Sequence, residues 1–231
     1  MTDTDPLAAL VDIDGTLLDS NDAHARAWVD AFSRHGRPQP FERVRPLIGK
    51  GGDKLLAELL GISDEEPLGQ ALTADWRRTF DTRERPTLRP TPGARALLER
   101  LAREGWTTVI ATSSDADEAR SLLRQAGVED LASLVTSSSD AARSKPDPDI
   151  VEAALRLGGA RPERAVMIGD TPYDIEAARR AGVGTVALRC GGHWADADLA
   201  GALAIYDDPA DLLAHWDASP LAGHPGGTTR A

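Results

Sequence analysis

Two aspartates stand two residues apart, Asp12 and Asp14, at the end of an apolar run and just before Gly15-Thr16 in LVDIDGTLLDS. Side chains alternate along a strand, so both carboxylates face the same way and can converge on one site. Two negative charges at a buried strand end are costly unless something offsets them. A second acidic pair, Asp170 and Asp174 in MIGDTPYD, follows another apolar run. With a helical turn between them, their spacing of four puts both on one face, where like charges repel unless a cation lies between them. Oxygen ligands with few other donors suit magnesium. Between the two pairs lie Thr112, Ser113 and Ser114, hydroxyls and amides just ahead of a helix start that suit an anion. Lys145, in SKPDP, is a point charge for a phosphate and for a carboxylate. Gly15 allows a turn or the close approach of a ligand to the backbone. Each feature alone has an ordinary reading: an Asp-Gly turn, a helix cap at Ser114 or Asp115, a solvated loop lysine, a capping and an exposed acid. Together they describe a site for a metal ion and a phosphate-like anion.

The elements that must hold these residues alternate along the chain. Leu7 to Ile13 reads as a short buried strand, and a helix capped by Ser20 runs to about Gly36. Further helices are expected over 53–60 and 65–82, and no strand signal appears between Asn21 and Arg89. From Pro90 the pattern changes. Helices over 93–104, 115–126, 147–157 and 173–181 alternate with strands over 107–111, 134–136, 165–168 and 185–188. A last strand near 204–206 and a helix to Trp216 follow. Such alternation argues for a parallel sheet covered on both faces. The fold class is therefore α/β, a Rossmann-like parallel-sheet core (1–18 and 90–231) interrupted by an all-helical insert (19–89). The stretch 217–231 (DASPLAGHPGGTTRA) is small and polar and is expected to be disordered. Ligands of such cores sit beyond the carboxyl ends of the strands, where all four features above would then meet.

The totals narrow the partners. The net charge is −11, which disfavours nucleic acid and anionic membrane and requires local positive charge wherever an anion binds. Lysine is confined to Lys50, Lys54 and Lys145. Cys190 is the only cysteine, so no intrachain disulfide forms, and its C-x-x-H spacing to His193 lacks the second ligand pair of a zinc site. No apolar run reaches the length of a membrane span, and Met1 to Leu10 lacks the basic start of a signal peptide; a cytoplasmic location is the expectation.

The four features, in this order, resemble the motifs of the haloacid dehalogenase-like superfamily, in its phosphatase branch: DIDGT at 12–16, ATSS at 111–114, Lys145 before Pro146, and GDTPYD at 169–174. The resemblance runs from about Leu10 to about Leu213. The helical insert is similar to the small cap domain of phosphoglycolate phosphatase and beta-phosphoglucomutase relatives. The resemblance implies that Asp12 is a nucleophile attacking phosphorus to give an aspartyl-phosphate, and that Asp14 is the general acid and base. Because a free aspartic acid is ionised at neutral pH, Asp14 then needs surroundings that favour its protonated form. Magnesium would be held by Asp12, the backbone carbonyl of Asp14, Asp170 and Asp174, the last directly or through water. Thr112, the Ser113 amide, Lys145 and Gly15 would cradle the phosphoryl oxygens, and Thr16 would brace the loop.

The insert should read the substrate, a small phosphorylated metabolite. Gly49 and Lys50 lie in a glycine-rich loop (IGKGGDK) that enters a helix and lacks the P-loop spacing. Either Lys50 reaches over the site or it is an exposed lysine at a plain helix start. His24 and Trp28 resemble the mutase-like relatives at the cap hinge. A sugar-phosphate mutase resembling beta-phosphoglucomutase is the nearest alternative; a phosphorylated signalling module and an idle binding protein rank lower. A monomer or a homodimer fits these readings.

Overall fold

The computed structural model describes residues 6–222. Its sheet places β1 (Leu7–Val11) at the centre, between β2 (Trp106–Ala111) and β4 (Ala165–Gly169). β3 (Leu134–Thr136) flanks β2, and β5 (Gly184–Leu188) and β6 (Ala204–Tyr206) extend the other side. Every pairing is parallel, with Leu10 in register with Val109 on one side and Met167 on the other. The period of two splits β1 between two cores. Leu7, Ala9 and Val11 pack with Leu97, Leu101 and Leu122, from α5 (Ala94–Arg103) and α6 (Ala116–Gln125). Ala8 and Leu10 pack with Ile150, Ala154 and Ala177, from α7 (Asp149–Gly158) and α8 (Pro172–Arg180). Burial on both faces is why the strand reads as an unbroken apolar run.

Strand order reverses at β1: the chain winds outward through β2 and β3, then returns to β4 on the other side. A crevice opens at such a switch point beyond the strands' carboxyl ends. Asp12 and Asp14 follow β1, Thr112 follows β2 and Asp170 follows β4.

Between β1 and β2 the elements are helical, as expected, and comprise α1 (Asn21–Arg34), α2 (Phe41–Val44), α3 (Gly52–Leu60) and α4 (Pro67–Thr79). They bury their own cluster, which includes Trp28, Phe32, Val44, Leu55 and Leu72. The helix expected over 65–82 starts at Pro67, whose fixed φ suits a first helical position, and passes into a wider turn over Phe80–Glu84. The short α2 was not foreseen. The two connections to the sheet run side by side: Asp19 N–H donates to the Arg89 carbonyl at 3.0 Å and Thr91 N–H to the Leu17 carbonyl at 3.1 Å.

One expectation fails at the C-terminal side. Residues 217–222 are ordered: a turn over Trp216–Ala218 carries Leu221, 2% exposed, into the main core. A single leucine and tryptophan in a polar stretch supply the burial that composition hides. The rest of that expected tail, 223–231, lies outside the described residues. No helix among the described residues is long and apolar enough to cross a membrane.

Candidate active site

The four strand-end features meet at one edge. Lys145 is 1% exposed, and its Nζ lies 2.8 Å from Asp12 Oδ1, 2.7 Å from Asp174 Oδ1 and 2.9 Å from the Ala111 carbonyl. The chain itself thus offsets part of the Asp12 charge. Burial would lower the Lys145 pKa, but its two carboxylate neighbours hold it above the usual lysine range. The Lys145–Pro146 peptide bond is cis.

One cation does not balance the site. Oxygen atoms of Asp12, Asp170 and Asp174 lie within 4.8 Å of one another, all three residues buried. Burial, with Asp174 and Asp14 nearby, pushes Asp12 up to about 7 against the pull of Lys145. Burial and the neighbouring Asp174 and Asp12 push Asp170 well above the ordinary carboxylate range. Asp170 is held in place by Thr16 Oγ1, donating at 3.1 Å to Oδ1, and by Asn21 Nδ2, donating at 2.8 Å to Oδ2. So Thr16 does brace the loop, by its hydroxyl.

Asp170 and Asp174 come together differently from the expected shared helix face. Asp170 ends the β4 connection and Thr171 is the N-cap of α8; Asp174 is the third helical residue and closes a capping box with Thr171. Thr171 Oγ1 donates to Asp174 Oδ2 at 2.6 Å. Asp174 therefore caps with one oxygen and turns the other into the cluster, fully buried.

Asp14 faces away from the three carboxylates. His24 Nε2 lies 2.8 Å from its Oδ1, and Ser20 Oγ donates to the same oxygen at 2.5 Å. Ser20 occupies the N-cap position of α1, as expected, but its hydroxyl serves Asp14 rather than the helix. Burial alone would raise Asp14; His24 and Ser20 overrule it and hold the carboxyl below its ordinary value. Burial would lower His24, but the Asp14 charge raises it. These surroundings lower the Asp14 carboxyl rather than raise it, the reverse of the expected direction, because His24 and Ser20 stabilise its charge. The imidazole is fixed by stacking on Phe80, with ring centroids 4.0 Å apart.

Asp12, Asp14, Thr112, Ser113, Lys145, His24, Gly49 and Lys50 all border one cavity of about 540 Å³. Thr112 is buried and its Oγ1 accepts from the Ser114 amide at 3.1 Å; the Ser113 hydroxyl is buried without a partner among the described residues. Gly15 has φ +73°, and a Cβ there would run into Asn21 and the Asp170 carboxylate, so the position requires glycine. Asp115 is the N-cap of α6, as its ordinary reading had it, accepting from the Glu118 amide at 2.9 Å. Lys50 pairs with Glu58 at 2.5 Å and lies over the Tyr173 ring, 4.9 Å from its centre. Of the two readings of this lysine, the structure shows neither in full: it borders the cavity, yet its ammonium is engaged by Glu58 of α3, the helix that its loop enters.

Several residues of the site, Trp28 apart, carried no sequence signal. Asn21 is a helix start in the sequence and a ligand of Asp170 in the structure. Trp28 and Trp76, stacked with centroids 5.2 Å apart, form part of the helical wall of the cavity. Arg77 crosses from α4 to pair with Asp115, and Glu118, 8% exposed, borders the cavity from α6.

Comparison with known proteins agrees with this arrangement. The chain is 29% identical over 219 residues to an N-acetylmuramic acid 6-phosphate phosphatase from Pseudomonas aeruginosa, covering 94% of this chain and 91% of that protein. It is 31% identical over 226 residues to a phosphoglycolate phosphatase from Rhodospirillum rubrum, with 94% and 93% covered. The crystal structure of a hydrolase from Pseudomonas syringae superposes with a TM-score of 0.85 at 32% identity, covering 92% of this chain and 98% of that one. The sequence profile of the haloacid dehalogenase-like hydrolases matches residues 7–182, and with the motif residues gathered at one sheet edge, the chain belongs to that family.

Proposed function

We propose that this hydrolase is a magnesium-dependent phosphatase of small phosphomonoesters that works through an aspartyl-phosphate on Asp12, with residues 19–89 acting as a cap over the site. The observation that carries the reading is the junction at Asp12: a carboxylate at the floor of the cavity, oriented by Lys145 at 2.8 Å and flanked by Thr112 and Ser113. That junction is where a nucleophile and the donors for a phosphoryl group must meet.

The residues fit the metal. Three buried carboxylates converge, Asp12 and Asp170 with pKa values raised by burial and by neighbouring carboxylates, and an all-oxygen donor set suits magnesium. Asp12, Asp170 and Asp174, with the backbone carbonyl of Asp14, would hold it. When bound, it supplies positive charge that lowers the carboxylate pKa values and screens the nucleophile from the phosphate.

The chain's own groups divide the remaining work. An Asp12 oxygen attacks phosphorus and the alcohol oxygen leaves. Lys145, Thr112, the Ser113 amide and Gly15 bind the phosphoryl oxygens and keep the group in line. The leaving oxygen takes its proton from the Asp14–His24 pair, in which Asp14 faces the substrate and His24 carries the proton. Water then attacks the aspartyl-phosphate as the same pair accepts a proton. The test is phosphate release from a panel of phosphomonoesters with magnesium and with a chelator. Wild type should release phosphate only with the metal, and Asp12→Asn should fall by at least about 10³-fold, a loss of roughly 4 kcal/mol in transition-state stabilisation. Comparable release by the variant would overturn the assignment of the nucleophile.

A further inference from the structure

Glu118 is a charged group the reaction above does not use. It lies in the first turn of α6 and is 8% exposed. Its backbone amide bonds Asp115, but its carboxylate makes no ion pair or side-chain hydrogen bond among the described residues. Buried carboxylates are ordinarily paired. Arg77 is close enough to act on Glu118 but turns its guanidinium to Asp115 instead. The side chain that faces the cavity thus has acceptors to offer and no protein donor to take them.

The rest of the lining shares this character. Beyond the reacting end, the cavity is bordered by Asp53, Asp64, Glu65, Asp115 and Glu118, against Lys50 and Arg77. Each of those two cations already holds a carboxylate, Glu58 and Asp115. Trp28 and Trp76 also border the cavity, and the Trp76 Nε1–H has no partner among the described residues. The volume, about 540 Å³, falls among pockets that enclose a drug-sized ligand and is poorly filled by a two-carbon acid.

We infer, resting on the phosphatase reading, that Glu118 makes this cavity selective for phosphomonoesters of neutral, polyhydroxylated alcohols and against those whose leaving group bears a carboxylate. Adjacent hydroxyls of a sugar-like leaving group can donate to both Glu118 oxygens, the hydrogen bonds to a charged acceptor being the strong ones. A carboxylate in the same place would be desolvated beside a second negative charge with no free cation to meet it. Selection arises as much from rejection as from attraction.

The experiment compares a matched open-chain pair, glucitol 6-phosphate and 6-phosphogluconate, which differ only at the end remote from the phosphate, where a hydroxymethyl group is replaced by a carboxylate. Binding of each to Asp12→Asn protein with magnesium is measured by calorimetry, alone and with Glu118→Gln, Glu118→Asp or Glu118→Leu added. The expected results are tighter binding of the neutral compound by about tenfold or more, equivalent to roughly 1.4 kcal/mol, and collapse of that ratio in Glu118→Gln through a gain for 6-phosphogluconate. Glu118→Asp should keep the discrimination, and Glu118→Leu should weaken glucitol 6-phosphate. Tighter binding of 6-phosphogluconate to the Glu118 protein, or an unchanged ratio in Glu118→Gln, would overturn the inference. Phosphate release by the wild type is assayed separately. Absence of release with the binding ratio intact would remove the phosphatase reading and leave the selectivity standing.

Discussion

The sheet edge and the helical wall of this cavity are built on opposite principles. At the edge, each charged group is fixed by buried partners: Lys145 by Asp12 and Asp174, Asp170 by Thr16 and Asn21, Asp174 by Thr171. On the wall, polar groups border the cavity beside an aromatic stack, and their pairing is exposed or absent: Arg77 is 49% exposed at its side chain, and the Glu118 carboxylate has no partner among the described residues. Reaction geometry requires the first arrangement, because misplacement of a reacting atom by 1 Å is expensive. Selection among leaving groups tolerates the second. The comparison sharpens if the edge is destabilised far more than the wall by loss of one cation. Lys145→Met leaves Asp12 and Asp174 buried without it, and removing one partner of a buried ion pair costs about 3–5 kcal/mol. Denaturant unfolding without divalent metal should show a loss of that size, and added magnesium should recover part of it. An unfolding midpoint equal to that of the wild type would mean that the acids are not held by Lys145.

The same division explains what the sequence disclosed. Strand ends are legible because a period of two fixes where a side chain points and a parallel sheet fixes which ends coincide. Asp12, Thr112, Lys145 and Asp170 could therefore be brought together from their spacing and order alone. Asp174 was placed in the right site by the wrong geometry: the capping box with Thr171, visible in the spacing of TPYD, directs it inward, rather than a helix face shared with Asp170. The state of Asp14 was not legible, since it depends on His24 arriving ten residues later from another element. Glu118 and Arg77 are ordinary helix-surface residues in the sequence. Only the fold, which brings Arg77 of α4 to Asp115 at the start of α6, makes one of them a buried acid without a partner among the described residues and the other part of a cavity's border.

Glu118 offers a smaller way to test the wall. Burial pushes its carboxyl up to about 7, partly offset by His24. A group whose folded value lies above its unfolded value of 4.5 binds protons more tightly in the folded state. Stability then falls as pH rises from about 4.5 to about 7 and is level above that. Glutamine has no proton to lose, so Glu118→Gln should match the wild type near pH 4 and exceed it by on the order of 2–3 kcal/mol at pH 8. Unfolding curves at the two pH values read the difference. A constant offset would mean that the cavity solvates Glu118 well enough to ionise it normally, which would bring the wall closer to an exposed surface.

The smallest effect belongs to Arg77. Its ion pair with Asp115 joins the helical segment to α6, and the two side chains are 49% and 34% exposed. Water and salt screen such a pair, so its worth lies below about 1 kcal/mol. Arg77→Gln should therefore change unfolding stability by less than that and raise KM by no more than about threefold, with the difference from the wild type vanishing near 1 M salt, where the Debye length is about 3 Å. The Lys145 loss should survive the same salt, because its partners are buried. A large, salt-resistant loss in Arg77→Gln would show that the rim pair is desolvated when the helical segment closes on the sheet edge. The wall would then take part in positioning as well as in selection, since Arg77 would be holding Asp115 and the start of the helix that presents Glu118.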